Sequence, residues 1–254
     1  MHDFLETAKL AVQLQAEVIR AAFLAEKRIT QKADTSLVTE TDQAAEATIR
    51  AFIQSRHPDH EILGEESGTT GEKGQYHWTI DPIDGTTNFT RGIPAFTTAV
   101  ALLQDGKPLV AAAHEPVTGD LYAAERDKGA TLNGIVLTIE KAGPLDQAVV
   151  AFGRTRQQKP AFQRVFDRIH PLVGTLRIVG SIIVGNCLVA AGRLNAAVVL
   201  SPSLWDLAPG ILIAQEAGAV ALNFSGQPWQ PGEAELILAH PNLARAIVEV
   251  LKTR

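Results

Sequence analysis

Apolar residues recur at helical spacing at Phe4, Ala8, Val12, Ile19 and Phe23, while Glu6, Lys9, Gln13, Glu17 and Arg20 fall on other faces. The pattern predicts one long amphipathic helix. The polar stretch Lys32-Ala33-Asp34-Thr35-Ser36 reads as a loop. Ala45, Ile49, Phe52 and Ile53 mark a second helix, expected to open near Asp42, a good capping type, and to close at Pro58. From Glu61 the period changes. Ile62-Leu63 and Trp78-Thr79-Ile80 read as short buried strands that run into acidic residues. Across residues 96–140, runs of Val, Ala and Thr are punctuated by Asp105-Gly106, Pro116-Val117-Thr118-Gly119 and Asn133-Gly134, the signature of an antiparallel meander.

Beyond Pro144 the pattern alternates. Strands are expected at Ala148–Phe152, Leu176–Val179, Ala196–Leu200 and Leu236–Ala239, and helices at Phe162–Ile169, Val184–Ala191, Leu207–Ala217 and Leu243–Leu251. Gly218 is the expected stop of the third of these helices. There is no internal repeat and no low-complexity linker. The expectation is one layered unit over residues 1–254, an α+β half at 1–143 with the meander, followed by an α/β half at 144–254.

Composition narrows the possible functions. Twenty-three basic and 28 acidic residues give a net charge of -5, which lacks the electropositive footprint of a binder of nucleic acid polymers. A lone cysteine, Cys187, excludes a disulfide framework within the chain and suits a cytoplasmic setting; on an apolar helical face it reads as core. The most apolar stretch, Ile178 to Leu200, is interrupted by Asn186, Arg193 and Asn195, so no membrane span is expected. His57, His60, His77 and His114 have no metal-ligand spacing and are expected at the surface or in loops.

Three acidic clusters stand where strands or helices begin or end: Gly64-Glu65-Glu66-Ser67, Asp81-Pro82-Ile83-Asp84-Gly85-Thr86-Thr87-Asn88, and Trp205-Asp206. In the second, Pro82 fixes the backbone and Asp84 returns toward Asp81, while Gly85 permits close approach. Carboxylates this close repel each other unless a cation lies between them, and a hard divalent ion such as Mg²⁺ suits oxygen ligands. Gly85-Thr86-Thr87 could open a turn whose amides face an anion. Without a Walker loop or a lysine at its spacing, water rather than a nucleotide is the expected partner in phosphoryl transfer.

At these residues the chain resembles the inositol monophosphatase family, the lithium-sensitive, magnesium-dependent phosphatases. The similarity runs from Leu37-Val38-Thr39-Glu40-Thr41-Asp42-Gln43 through Gly64-Glu65-Glu66-Ser67 and Trp78 to Phe89. It continues at Gly180-Ser181, Cys187-Leu188-Val189-Ala190 and Trp205-Asp206. The resemblance implies a layered α-β-α-β-α sandwich, commonly homodimeric, that binds two or three Mg²⁺ ions and hydrolyses a small phosphorylated metabolite with metal-activated water. It implies Glu65, Asp81, the carbonyl of Ile83, Asp84 and Asp206 as metal ligands. Thr86 and Asp42 would be the water-activating pair, with Glu65 assisting through a loosely held ion. The amides of Gly85 and Thr86 would hold phosphate.

Inositol monophosphate is the first substrate so implied. The match departs from it at one place: the position of the family's polyol-reading glutamate falls near Val199, and no carboxylate lies between Gly180 and Trp205. Arg154 and Arg156 could instead meet a second phosphate, and Ser181 the leaving group. Relatives acting on fructose bisphosphate, nucleotide bisphosphates or histidinol phosphate keep those substrates open. A regulatory protein on the same fold is the alternative of another class.

Overall fold

The computed structural model describes residues 3–25, 29–31, 37–155 and 158–252; the expected loop at Lys32-Ala33-Asp34-Thr35-Ser36 and the side chain of Arg156 lie outside them. A strand that is apolar at every position has two faces to bury. In the meander strands β6 (Thr97–Gln104) and β7 (Lys107–His114), Val100, Leu102, Val110 and Ala112 enter one core, and Ala99, Ala101, Leu103, Ala111 and Ala113 enter another. They belong to an eight-stranded sheet in the order β10-β9-β8-β7-β6-β5-β3-β4. Its other strands are β3 (Glu61–Gly64), β4 (Gly68–Thr70), β5 (Tyr76–Asp84), β8 (Leu121–Glu125), β9 (Gly129–Leu132) and β10 (Ile135–Val136). All pairings are antiparallel except β3 with β5. Asp105-Gly106 and Asn133-Gly134 form the expected tight turns, with all four residues at positive φ.

The second half builds a five-stranded sheet in the order β12-β11-β13-β15-β14. Its strands are β11 (Val149–Arg154), β12 (Thr175–Arg177), β13 (Ala196–Leu200), β14 (Val220–Leu222) and β15 (Glu235–Ala239). Between the sheets lie α6 (Ile182–Ala190) and α7 (Leu204–Glu216). Eight of the nine residues of α6 are buried, as expected of a helix that is apolar all round. On the outer face of the first sheet lie α1 (Phe4–Gln13) and α3 (Glu40–Arg56). On the outer face of the second lie α5 (Lys159–Ile169) and α8 (Pro241–Lys252). The result is the α-β-α-β-α layering. Among the described residues no helix is long and apolar enough to cross a membrane.

Several local expectations change. The single amino-terminal helix is two, α1 and α2 (Ala16–Leu24), broken at Leu14-Gln15. Its two ends serve different cores: Ala8 and Val12 pack on the large sheet, whereas Ile19 packs with Ile83, Phe89 and Phe96. The second helix opens at Thr39 rather than Asp42, because Asp42 occupies the third helical position and closes a capping box on Thr39. Likewise α7 starts at Ser203, which puts Asp206 in its first turn. Strand β14 and the short pair β1 (Ile29–Gln31) and β2 (Leu37–Thr39) were not foreseen. His57 and His114 are buried, not superficial; His57 stacks on His60 and Trp78. Cys187 is core, its thiol pushed well up by burial.

Candidate active site

Strand β5 delivers the first two carboxylates. Asp81 still pairs with Ala99 of β6, but the register shifts between Asp81 and Asp84, and this irregularity turns both side chains into one region. Asp206 arrives from α7 on the far side. Each of the three contributes a carboxylate oxygen within 4.8 Å of the other two, and all are buried. Glu65 follows β3 directly, and its amide donates to the carbonyl of Ile80 at 3.2 Å. That bond ties Glu65 to the residue before Asp81, and its charge raises the pKa of Asp81, Asp84 and Asp42.

The carboxylates are neutralised unequally. Asp84 accepts from the Ser181 hydroxyl at 2.5 Å and from the amides of Ile183 and Ile182 at 2.6 and 3.3 Å, at the start of α6. Burial nonetheless outweighs these donors and pushes its pKa to about 6. Asp206 accepts from the Ser201 hydroxyl at 2.5 Å. Asp81 has far less: its Oδ1 is buried without any hydrogen-bond partner. Burial first, then Glu65, Asp84 and Asp206, raise its pKa well above its usual value of 3.8.

A buried, unpartnered carboxylate oxygen facing two more carboxylates is an unstable arrangement for anions alone. It fits a divalent cation, and the donor set, oxygen only, fits Mg²⁺ or a similarly hard ion rather than a thiophilic one.

Beside this cluster stands a second pair. Asp42, fully buried, accepts from the amide of Thr39 at 2.8 Å and from its hydroxyl through Oδ2. Its Oδ1 lies 3.3 Å from the Thr86 hydroxyl, which is also 3.2 Å from the Ile83 carbonyl. Burial outweighs the Thr39 bonds and raises the Asp42 pKa to about 6. Gly85, with φ of 97°, turns the chain from β5 into the short helix α4 (Thr86–Thr90). A Cβ there would lie 3.1 Å from both the Ala95 carbonyl and the Ser181 Cβ, so a side chain would be strained by the conformation and crowded by its neighbours.

A cleft of about 730 Å³ opens over Glu65, Asp84, Thr86 and Asp206. Its far wall is apolar, with Phe162, Ile178 and Trp205, and carries the guanidinium of Arg154 stacked 5.3 Å over the Phe162 ring. Val199 is buried in β13 between the sheets. No aspartate or glutamate besides Glu65, Asp84 and Asp206 lines the cleft among the described residues. Ser181 lines it too, but its hydroxyl is engaged with Asp84 and caps α6 through the Val184 amide. Sequence reasoning missed Ser201 and Thr39; the spacing Thr39-x-x-Asp42 carried a legible capping signal.

The protein is a five-layer α-β-α-β-α sandwich with a buried all-oxygen carboxylate cluster beside a cleft, a donor set suited to a hard divalent cation. The family model described as the inositol monophosphatase family matches residues 1–253, and this chain belongs to that family. It is 33% identical to the Nus factor SuhB of Vibrio cholerae, over 99% of this chain and 97% of that one. It is 31% identical to a fructose-1,6-bisphosphatase/inositol-1-monophosphatase of Aquifex aeolicus, over 99% and 96%. Among solved structures, an IMPase of Thermotoga maritima superposes with a TM-score of 0.90 at 27% identity, over 98% of this chain and 97% of that one.

Proposed function

We propose that the protein is a Mg²⁺-dependent phosphatase of small phosphomonoesters, with inositol monophosphate as the first substrate to try. The observation that carries this reading is the orphaned Asp81 oxygen within a group of three converging carboxylates, next to the Thr86–Asp42 pair. Glu65, Asp81, the Ile83 carbonyl, Asp84 and Asp206 would hold two or three ions. When bound, Mg²⁺ supplies charge neutralisation for the phosphoryl oxygens and lowers the pKa of water.

The chain supplies the rest. Thr86 orients the attacking water and accepts its proton while passing its own to Asp42, whose raised pKa suits it to hold that proton. Asp42 is kept in line by Thr39. The amides of Gly85 and Thr86 hold phosphate oxygens at the turn into α4, and the apolar wall of the cleft excludes bulk water from the leaving group. The presence of every member of this set favours catalysis over a purely regulatory role.

Phosphate release from a panel of phosphomonoesters, with Mg²⁺ and with chelator, tests the reading; absence of metal-dependent release across the panel would refute it. A second reading, a bisphosphate substrate, is favoured by one observation, the Arg154 guanidinium on the cleft wall, with no carboxylate besides Glu65, Asp84 and Asp206 lining the cleft among the described residues. It requires that Arg154→Ala raise KM for fructose or nucleotide bisphosphates about tenfold while leaving monophosphates nearly unchanged. Equal effects on both would reject it.

A further inference from the structure

Glu46 touches no part of the cleft, yet its side chain is only 1% exposed. It lies four residues beyond Asp42 on the same face of α3. Its Oε2 accepts from the amide of Glu66 at 2.6 Å, and its Oε1 accepts from the amide of Ser67 at 3.0 Å and from the Ser67 hydroxyl. Arg50, one turn further, sets Nη2 3.1 Å from Glu46 Oε1. The same guanidinium donates to the carbonyls of Ile62 at 3.0 Å and Gly68 at 2.9 Å, and to the Thr70 hydroxyl at 2.5 Å. One ion pair on α3 therefore grips both strands of the β3–β4 hairpin and the turn between them.

Glu65 enters that turn. Its own amide is tied to Ile80, and the two amides that follow it are tied to Glu46. The fit is close enough to dictate a residue type: a Cβ on Gly64 would lie 2.2 Å from Glu46 Oε1 and 2.5 Å from Arg50 Nη2. Glu65 faces like charges on Asp81, Asp84 and Asp42, and β4, three residues long at the sheet edge, offers little to resist being pushed outward.

We propose that Glu46, backed by Arg50, is a positioning residue that holds Glu65 against like-charge repulsion and thereby sets the affinity of the carboxylate cluster for its divalent cation. The proposal rests on the metal-dependent reading of the site. Glu46 acts through the hairpin backbone and touches no ion itself, as outer partners of metal ligands do.

The test is Glu46→Gln, which keeps the volume but turns a donor toward an amide that needs an acceptor. Three quantities are read on the full chain: the Mg²⁺ concentration at half-maximal thermal stabilisation, the Mg²⁺ dependence of phosphate release, and amide hydrogen exchange at Glu66 and Ser67. The expected result is a rise of about tenfold in both Mg²⁺ midpoints, faster exchange at those two amides, and turnover close to the unsubstituted protein at saturating Mg²⁺. Ile49→Val, which loosens packing on the same helix, should lower stability without moving the midpoints. Should Glu46→Gln not fold, Arg50→Gln and Gly64→Ala loosen the same clamp from either side and must raise the midpoints likewise. Unchanged midpoints in folded variants with accelerated exchange would overturn the positioning role alone. Absence of any Mg²⁺ stabilisation in the unsubstituted protein would overturn the metal reading, and this proposal with it.

Discussion

Thr86 Oγ1 lies 3.3 Å from Asp42 Oδ1, joining the turn after β5 to the first turn of α3 across 44 residues of sequence. The hydroxyl has one proton and two acceptors within reach, Asp42 and the Ile83 carbonyl; donating to either leaves both of its lone pairs to receive a proton from elsewhere. Thr86→Val removes that relay while preserving shape. It should lower kcat about 10²-fold or more, with the Mg²⁺ midpoint in a thermal titration unchanged, and Thr86→Ser should restore most of the rate. Loss of Mg²⁺ binding in Thr86→Val would make the hydroxyl a ligand instead of a relay.

Asp81 is the most frustrated carboxylate of the cluster, buried and partnerless at Oδ1. Asp81→Asn removes the charge that Glu65, Asp84 and Asp206 oppose. Turnover should fall below detection, while the metal-free protein should melt higher by a few degrees, about the shift that 1 kcal/mol produces in a chain of this size. Calorimetry with chelator and phosphate release with saturating Mg²⁺ read the two effects separately. A metal-free variant less stable than its parent would mean that Asp81 packs better than it repels.

Mg²⁺ and protons compete for the same oxygens. Burial raises Asp42 and Asp84 from the usual 3.8 to about 6 in the folded chain, and burial with its carboxylate neighbours raises Asp81 well above the usual value too. The folded state therefore binds more protons than the unfolded one as pH rises through about 4 to 6, and metal-free stability falls across that window. Bound Mg²⁺ displaces those protons. The thermal shift produced by a fixed Mg²⁺ concentration should be small at pH 5 and several degrees larger at pH 8. A pH-independent shift would place the ion away from these carboxylates.

The gathering of carboxylates was legible because each sits at a boundary where a strand or helix pattern breaks into acidic residues: Glu65 after Ile62-Leu63, Asp81 after Trp78-Thr79-Ile80, Asp206 ahead of an apolar run. Layering was legible in the meander, where alternate residues are apolar on both faces. The break at Leu14-Gln15 was not, because its cause is tertiary: Val12 and Ile19 serve different cores, and no glycine or proline marks the division. Nor was the Glu46 clamp, since a glutamate in a helix reads as solvated until the hairpin amides that surround it are known. The burial of His57 and His114 came from the same source, neighbours distant in sequence.

Glu115 lies just past β7, 8% exposed, with Tyr122, Asp120, Cys187 and Arg193 near enough to share its electrostatics. Burial, then Asp120, raises its pKa from 4.5 to about 7, and Arg193 only partly counters this because it is paired with Asp120 at 3.3 Å. A carboxyl with a raised folded pKa prefers to be protonated in the native state, so its contribution to stability is full below about 4.5 and is lost as pH rises toward 7. Glu115→Gln mimics the protonated form at every pH. At pH 8 it should stabilise the protein by on the order of 2 kcal/mol, with no comparable gain at pH 4.5. Urea unfolding of both proteins at the two pH values, with chelator present to keep the metal cluster out of the comparison, reads the difference directly. An equal gain at both would assign the effect to packing around Tyr122, and a loss at pH 8 would mean that the ionised carboxylate is held by Arg193.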